Sequence, residues 1–478
     1  MDTNTRGRPA VSLLLTSVAF FMVALDALVV ITALPAIHAQ LGGSVATLEW
    51  TVNAYGLAFA AGIVTASALG DRLGRRRVYV AGLILFSAAS AACALAPTAA
   101  TLIGARAVQG VGAAIVTPLS LTILTSSFPA AKRGAVVGIW GGIAGLAVAG
   151  GPLVGGAVVQ GLSWHWIFWV NVPIGFAAAI AAARLLPESY GPARRLDLPA
   201  LPLIAFAALA LTWGLVRAGG SGWSDGFTVA LLAGGTALLA GFVLRERAAA
   251  DPMVPLRLFR NRTFTAANAA AFLQSGAIFS AAFLTTEYFQ LGLGYGPFAT
   301  GLRLLPWTGT LMLVAPLAGA VADRIGTRPL IAGGLALQAG GLAWVASGAT
   351  SAGGYGRWVL PMIVAGVGIS MAMPAVSAAA LGAVAPPDLG RASGVNNTLQ
   401  RFGGAFGIAV TAAVFTAHGQ LGSPAGVVAG FRPALAVSAL LSLLGAGAAV
   451  AAGRRGGAQP AAAPQAGQTL AASSVRGG

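Results

Sequence analysis

The sequence predicts an all-α polytopic membrane protein, and three observations carry that prediction. The chain of 478 residues is 57% hydrophobic and only 8% charged, where soluble domains carry about 25% charged residues. Mean hydropathy is +0.82. Apolar stretches of about 20 residues recur along it, each long enough to cross a hydrocarbon core of ~30 Å. A single cysteine, Cys93, leaves no intramolecular disulfide and no cysteine-cluster metal site. The three histidines, His38, His165 and His418, are scattered, so no metal, no catalytic cluster and no cofactor is expected. A phosphate-cradling Gly-Lys-Ser/Thr loop is absent from the sequence, which argues against direct ATP drive.

Fourteen helices follow from the apolar pattern. A polar segment, 1–11, precedes the first helix at 12–37, whose apolar run is too long for a signal peptide. Helices at 48–70, 78–95, 100–123, 134–159 and 165–186 complete a first six-helix bundle, 12–186. Two extra central helices, at 198–217 and 227–245, make an insertion, 198–245. The loop 246–262 has room for a short interfacial segment. A second six-helix bundle, 263–452, contains helices at 263–290, 298–321, 329–348, 358–380, 392–417 and 432–452. The tail 453–478 is rich in Ala, Gly, Pro and Gln and reads as disordered.

The net charge of +16 is mainly a topology signal. Most basic residues fall in one alternating set of loops, including Arg6, Arg8, the run Arg72 to Arg77, Lys132, Arg133, Arg194, Arg195, Arg245, Arg247 and Arg454. Only Arg217, Arg303, Arg357 and Arg432 sit in the opposite loops and helix edges. The excess of positive charge marks the cytoplasmic side, which places both termini there. Nucleic acid is therefore not an expected partner. The bilayer is, with anionic lipid against the basic loops.

Two stretches repeat each other. GVGAAIVTP starts at Gly110 and GVGISMAMP at Gly366; GDRLGRRR around Asp71 is echoed by ADRIGTRP around Asp323. Duplicated halves are a common way to build a central site that two bundles expose alternately.

Further motifs stand at SALGDRLGRRR (67–77), RAVQGVGAA (106–114), AVAGGPLVGG (147–156), WHWIFWVNVPIG (164–175), EYFQLGLGYGPFATGLRLLP (287–306) and GVNNTLQRFGGAFG (394–407). In this order they resemble the major facilitator superfamily, and within it the fourteen-span drug:proton antiporter family. That resemblance implies a major facilitator fold in a bacterial cytoplasmic membrane, and proton-driven export of amphipathic or apolar small molecules such as drugs or antibiotics. A monomer is expected. A nutrient or metabolite importer or uniporter on the same fold is the alternative.

Each motif has its chemistry. Gly74 permits a tight turn, and Asp71, Arg72 and Arg75 read as a conformational latch, repeated at Asp323 and Arg324. Gly151, Pro152, Gly155 and Gly156 form the exporter motif of the fifth helix, where Pro152 can kink the helix and the glycines admit a close neighbour. Asn396, Asn397, Gln400 and Arg401 are a dense polar patch, with Asn397, Gln400 and Arg401 aligned by helical spacing. With Gln109 and Trp140 they are candidate cavity residues. Glu49 and Glu287 fall near helix ends and read as exposed at the rim. Trp50, Trp164, Trp166, Trp213, Trp223 and Trp358 read as interfacial belts, and His165 as rim packing.

Asp26 lies inside the first apolar run, in VALDALVVITALP. A carboxylate at that depth is costly unless it faces a cavity or a partner. At ~1.5 Å per residue Asp26 lies roughly 21 Å from the cytoplasmic start of its helix, and Arg106 roughly 25 Å from the cytoplasmic end of its own. Similar heights are therefore allowed, while the direction each faces is not legible in the sequence. LDALVVITALP resembles the family's first-helix motif, which implies proton coupling by Asp26, with a coupling role for Arg106. The family tends to have Thr and Asn where this chain has Leu28 and Ile31, so a less polar cavity is expected.

Overall fold

The computed structural model describes residues 9–191, 199–249, 252, 254–350, 354–385, 388–421 and 423–451. The expected disordered tail and the extreme N-terminus lie outside them. The described residues form helices without a strand, as an apolar medium requires of an open chain whose backbone groups must be satisfied internally.

The N-terminal half contains α1 (Pro9–Leu41), α2 (Val45–Leu73), α3 (Arg75–Ala94), α4 (Ala99–Ser126), α5 (Ala130–Gly161), the short α6 (Trp166–Trp169) and α7 (Asn171–Leu185). Next come α8 (Ala200–Ser221) and α9 (Gly226–Ala248). The C-terminal half contains α10 (Arg262–Glu287), α11 (Pro297–Thr308), α12 (Thr310–Ile325), α13 (Thr327–Gly348), α14 (Gly356–Gly382), α15 (Leu389–His418) and α16 (Pro424–Ala451). A 3-10 turn at Leu256–Arg260 occupies the basic loop, and α10 ends in a π turn, Tyr288–Gly292.

Local sequence sets the ends. Thr98 caps α4 by accepting the Thr101 N–H, Asp225 caps α9 through Thr228, and Asn261 caps α10 through Thr263 and Phe264. The stretch expected as one helix at 298–321 breaks at Gly309 into α11 and α12, with Pro306 just before the break.

Eleven helices among the described residues are long and apolar enough to cross a membrane, or twelve counting a bent α2 as one. Helices α5 and α8 run to 32 and 22 residues.

The duplicated motifs occupy matching places. Gly74 and Gly326 both have positive φ, +108° and +82°, and both separate a pair of helices end to end. A side chain there would be strained. A Cβ on Gly110 of α4 would strike the Tyr55 carbonyl of α2; on Gly366 of α14 it would strike the Trp307 carbonyl of α11. The next glycines, Gly112 and Gly368, seat their helices on the backbones of α3 at Phe86 and α13 at Gln338. Small residues thus let backbones meet where no hydrophobic force drives helices together in lipid.

The hairpin α8–α9 packs through α8 against α2 and α15, one helix from each half. Trp50 of α2 meets Trp213 of α8 edge to face, 6.4 Å between ring centres. Helix α9 is covered on little of its surface.

Candidate functional site

Asp26 of α1 is 3% exposed and Arg106 of α4 is fully buried. They face each other: Arg106 Nη1 donates to Asp26 Oδ2 at 2.5 Å. Asp26 Oδ1 accepts from Gln109 Nε2 and from Asn171 Nδ2, each at 2.9 Å. Arg106 also donates to Gln109 Oε1 at 2.7 Å and, through Nε, to the Thr51 carbonyl at 3.3 Å. Its guanidinium lies 4.1 Å from the centre of the Tyr55 ring, a cation–π contact strengthened by desolvation. Ser90 of α3 closes the network by accepting from Gln109 and Asn171 while donating to the Phe168 carbonyl at 3.0 Å.

Six helices, counting the short α6, thus converge on one ion pair. A buried pair holds only when its remaining lone pairs and protons are satisfied, and here both Asp26 oxygens are. Gln109 belongs to this node rather than to a cavity wall. Asn171, Ser90 and Tyr55 were not singled out from the sequence; the one signal was a solitary amide in the apolar run WIFWVNVPIG.

A narrow cleft of about 40 Å³ lies between the halves. Leu28, Ile31 and Thr32 of α1 and Pro152 of α5 line one side, and Ile278, Thr286, Leu304 and Trp307 are among the residues on the other. Leu28 and Ile31, the two positions where the first-helix motif departs from the family's, both line it. Asp26 itself does not line it. The node and the cleft share α1, with Leu28 two residues beyond the aspartate and so turned to a different face.

The exporter motif forms the seam beside this cleft. A Cβ on Gly151 would come within 2.9 Å of Leu28, and one on Gly155 would collide with Thr32. Gly156 abuts the Pro297 carbonyl of α11, and Gly301 abuts the Pro152 carbonyl. Two hydrogen bonds join the halves at this end: Gln290 Nε2 to the Thr32 carbonyl at 2.9 Å, and the Phe298 N–H to Gln160 Oε1 at 3.1 Å.

At the other end, Asp71 pairs with Arg75 at 2.8 Å, within the N-terminal half. The Arg75 N–H donates to the Ser189 carbonyl, and the Arg76 N–H donates to Glu188 at 2.9 Å. The expected latch residues therefore tie α3 to the end of α7. Arg72 and Arg324 are exposed, and the Asp323 side chain lies outside the described residues.

The polar patch of α15 differs from its expected alignment. Asn396 Oδ1 accepts from Gln400 Nε2 at 2.6 Å, and Asn396 donates to Asn268 at 3.2 Å. Asn397 turns back to the Ser393 carbonyl at 2.9 Å. Arg401 alone reaches the other half, 4.2 Å from the Phe59 ring centre. The pairing uses the i,i+4 step from 396 rather than the face through 397.

Expectations for five other residues change, Glu49, Glu287, Trp164, Trp358 and Trp140. Glu49 and Glu287 are each 2% exposed, not at an exposed rim; neighbouring helices bury a helix end from the side, which position along a helix does not reveal. Trp164 and Trp358 are likewise buried, whereas Trp166, Trp213 and Trp223 are exposed as a belt requires. Trp140 stacks on Phe20 at 3.7 Å and is not among the residues lining the cleft. His165 stacks on Trp164 at 3.8 Å, and partial burial holds its imidazole below the usual histidine range.

A family model, the Major Facilitator Superfamily, matches residues 16–408. The chain belongs to that superfamily. Its sequence is 34% identical over 411 residues to the tetracenomycin C resistance and export protein of Streptomyces glaucescens, covering 85% of this chain and 76% of that protein. It is 36% identical over 432 residues to the cephamycin export protein CmcT of Amycolatopsis lactamdurans, covering 88% of each. A crystal structure of a POT family transporter in complex with a thioalcohol conjugated peptide superposes with a TM-score of 0.69 at 15% identity, covering 91% of this chain and 94% of that one. The protein is a multi-pass membrane transporter.

Proposed function

We propose that this transporter is a proton-coupled antiporter of the fourteen-span drug:proton family, exporting apolar or amphipathic small molecules by alternating access. The observation that carries the reading is the buried Asp26–Arg106 pair on the same helix as the cleft wall. A proton on Asp26 removes the charge that holds Arg106. Helix α1 then loses its strongest tie to α4 while keeping its glycine seam with α5. Movement of α1 reshapes the cleft at Leu28, Ile31 and Thr32. Proton release restores the tie. Similarity to proteins named for the export of tetracenomycin C and cephamycin supports outward transport.

The basic loops put both termini and the Asp71–Arg75 loop in the cytoplasm of a bacterium. The Gln160–Phe298 end then faces outward and is the closed one. The loop at Asp71 acts as a latch when the halves meet at the cytoplasmic end, a contact its present pairing within one half leaves unmade. Counting α5 and α8 gives fourteen spans, with α8–α9 inserted between two bundles of six. We take the working unit to be a monomer.

The test is proton flux in proteoliposomes with an imposed pH gradient, comparing the full chain with Asp26→Asn. Substrate-dependent proton movement that vanishes in the variant is expected. Equal substrate transport without proton movement in both proteins makes the chain a uniporter and Asp26 structural.

A further inference from the structure

The cleft between the halves has an uneven polarity that bears on its cargo. None of its lining residues among those described carries a charge. The acid on α1, Asp26, already accepts three hydrogen bonds, one of them from a cation. An ammonium or phosphonium entering the cleft would lose its hydration and meet no counter-charge, which costs far more than an apolar wall returns.

The polar atoms of the wall divide into two kinds. Thr32 Oγ1 is engaged, donating to the Val29 carbonyl at 2.8 Å. Thr286 Oγ1 and Trp307 Nε1 are buried with no partner, on residues 1% and 5% exposed. An indole N–H can only donate. A buried donor left unmade is expensive, and a ligand that satisfies it gains by that amount. Both groups sit on lining residues of the C-terminal half and are covered in this state, while Leu28, Ile31 and Pro152 on the opposite wall offer apolar contact. In this state the space is only about 40 Å³, below the usual size of small-molecule sites, so cargo is admitted only when the halves part.

We infer that the cargo is an uncharged, largely apolar ring system carrying a hydrogen-bond acceptor, held against Leu28 and Ile31 and oriented by Trp307 Nε1–H and the Thr286 hydroxyl. The inference rests on the exporter reading and narrows it: permanent cations are excluded. Protons exchanged for a neutral molecule then carry net charge across, so transport responds to membrane potential as well as to pH.

Fluorescent probes separate the terms. Nile red is uncharged and bears a carbonyl; perylene is uncharged without an acceptor; ethidium is a permanent cation. Their binding to the full chain in lipid nanodiscs, corrected for empty nanodiscs, is the readout. Nile red should bind at least tenfold tighter than ethidium and about fivefold tighter than perylene. Trp307→Phe should weaken Nile red about five- to tenfold, the worth of one buried hydrogen bond, and weaken perylene, which accepts no hydrogen bond, by a clearly smaller factor. Thr286→Val, close in shape, should act in the same direction. Ethidium binding as tightly as Nile red overturns the inference, and so does Nile red affinity indifferent to both variants, which would mean that water serves those groups. Absence of binding by all three probes overturns it too. The exporter reading is judged separately, by proton flux: ethidium-driven flux would sink the cargo assignment and leave the antiporter standing.

Discussion

Breaking the Asp26–Arg106 pair from its two sides should have unequal consequences. Arg106→Gln leaves Asp26 with two donors, Gln109 and Asn171, both at 2.9 Å. The carboxyl can bind a proton and become neutral. The loss is then mainly one charge-assisted hydrogen bond, about 1.5–3 kcal/mol. Asp26→Asn leaves a guanidinium that cannot lose its proton. Arg106 keeps Gln109, the Thr51 carbonyl and the Tyr55 face, but it is fully buried with no counter-charge. Stranding a buried charge costs about 3–5 kcal/mol. The double variant removes both charges and should recover part of that loss, so the two changes are strongly non-additive. Thermal unfolding of the full chain in one detergent, with proton flux measured on the folded fraction, gives the order: wild type most stable, then the double variant and Arg106→Gln, then Asp26→Asn. Arg106→Gln unfolding at the same temperature as Asp26→Asn, or below it, would refute the argument that the arginine is the group needing its partner more.

Two further outcomes follow from the geometry. The Arg217–Asp225 contact at 2.9 Å, with the Thr228 N–H, holds the Asp225 carboxyl down at about 2, below its usual 3.8. Because the folded value is lowered, its contribution is full above about pH 4 and is lost as pH falls toward 2; amide exchange at the α8–α9 turn should therefore accelerate over that window in the wild type and not in Asp225→Asn. Gly156→Val should cut transport at least tenfold at near-normal expression, since any Cβ there meets the Pro297 carbonyl; a valine variant that transports normally would show that this end need not close so tightly.

Much of this was legible in the sequence because lipid imposes simple demands. Apolar length gave the helices, basic loops gave the expected orientation, and counting residues put Asp26 and Arg106 at similar depths without saying that they face each other. Height along a helix follows from counting residues, whereas direction around it follows only from packing. That is why Glu49 and Glu287 were expected at the rim and are buried, and why Asn396 rather than Asn397 joins Gln400. Asn171 was missed for the same reason. A lone amide in an apolar run states that a partner exists without naming it, and only the fold brings it to Asp26 from 145 positions away.

Helix α1 carries Asp26 on one face and part of the cleft wall on another. Engine and hold are thus fixed to one shaft, and neither needs to touch the other. Residues such as Leu28 and Ile31 can be exchanged for others without disturbing what grips Asp26. On the proposed reading, a lineage of such transporters can take up new cargoes by resurfacing the hold while the drive stays as it was.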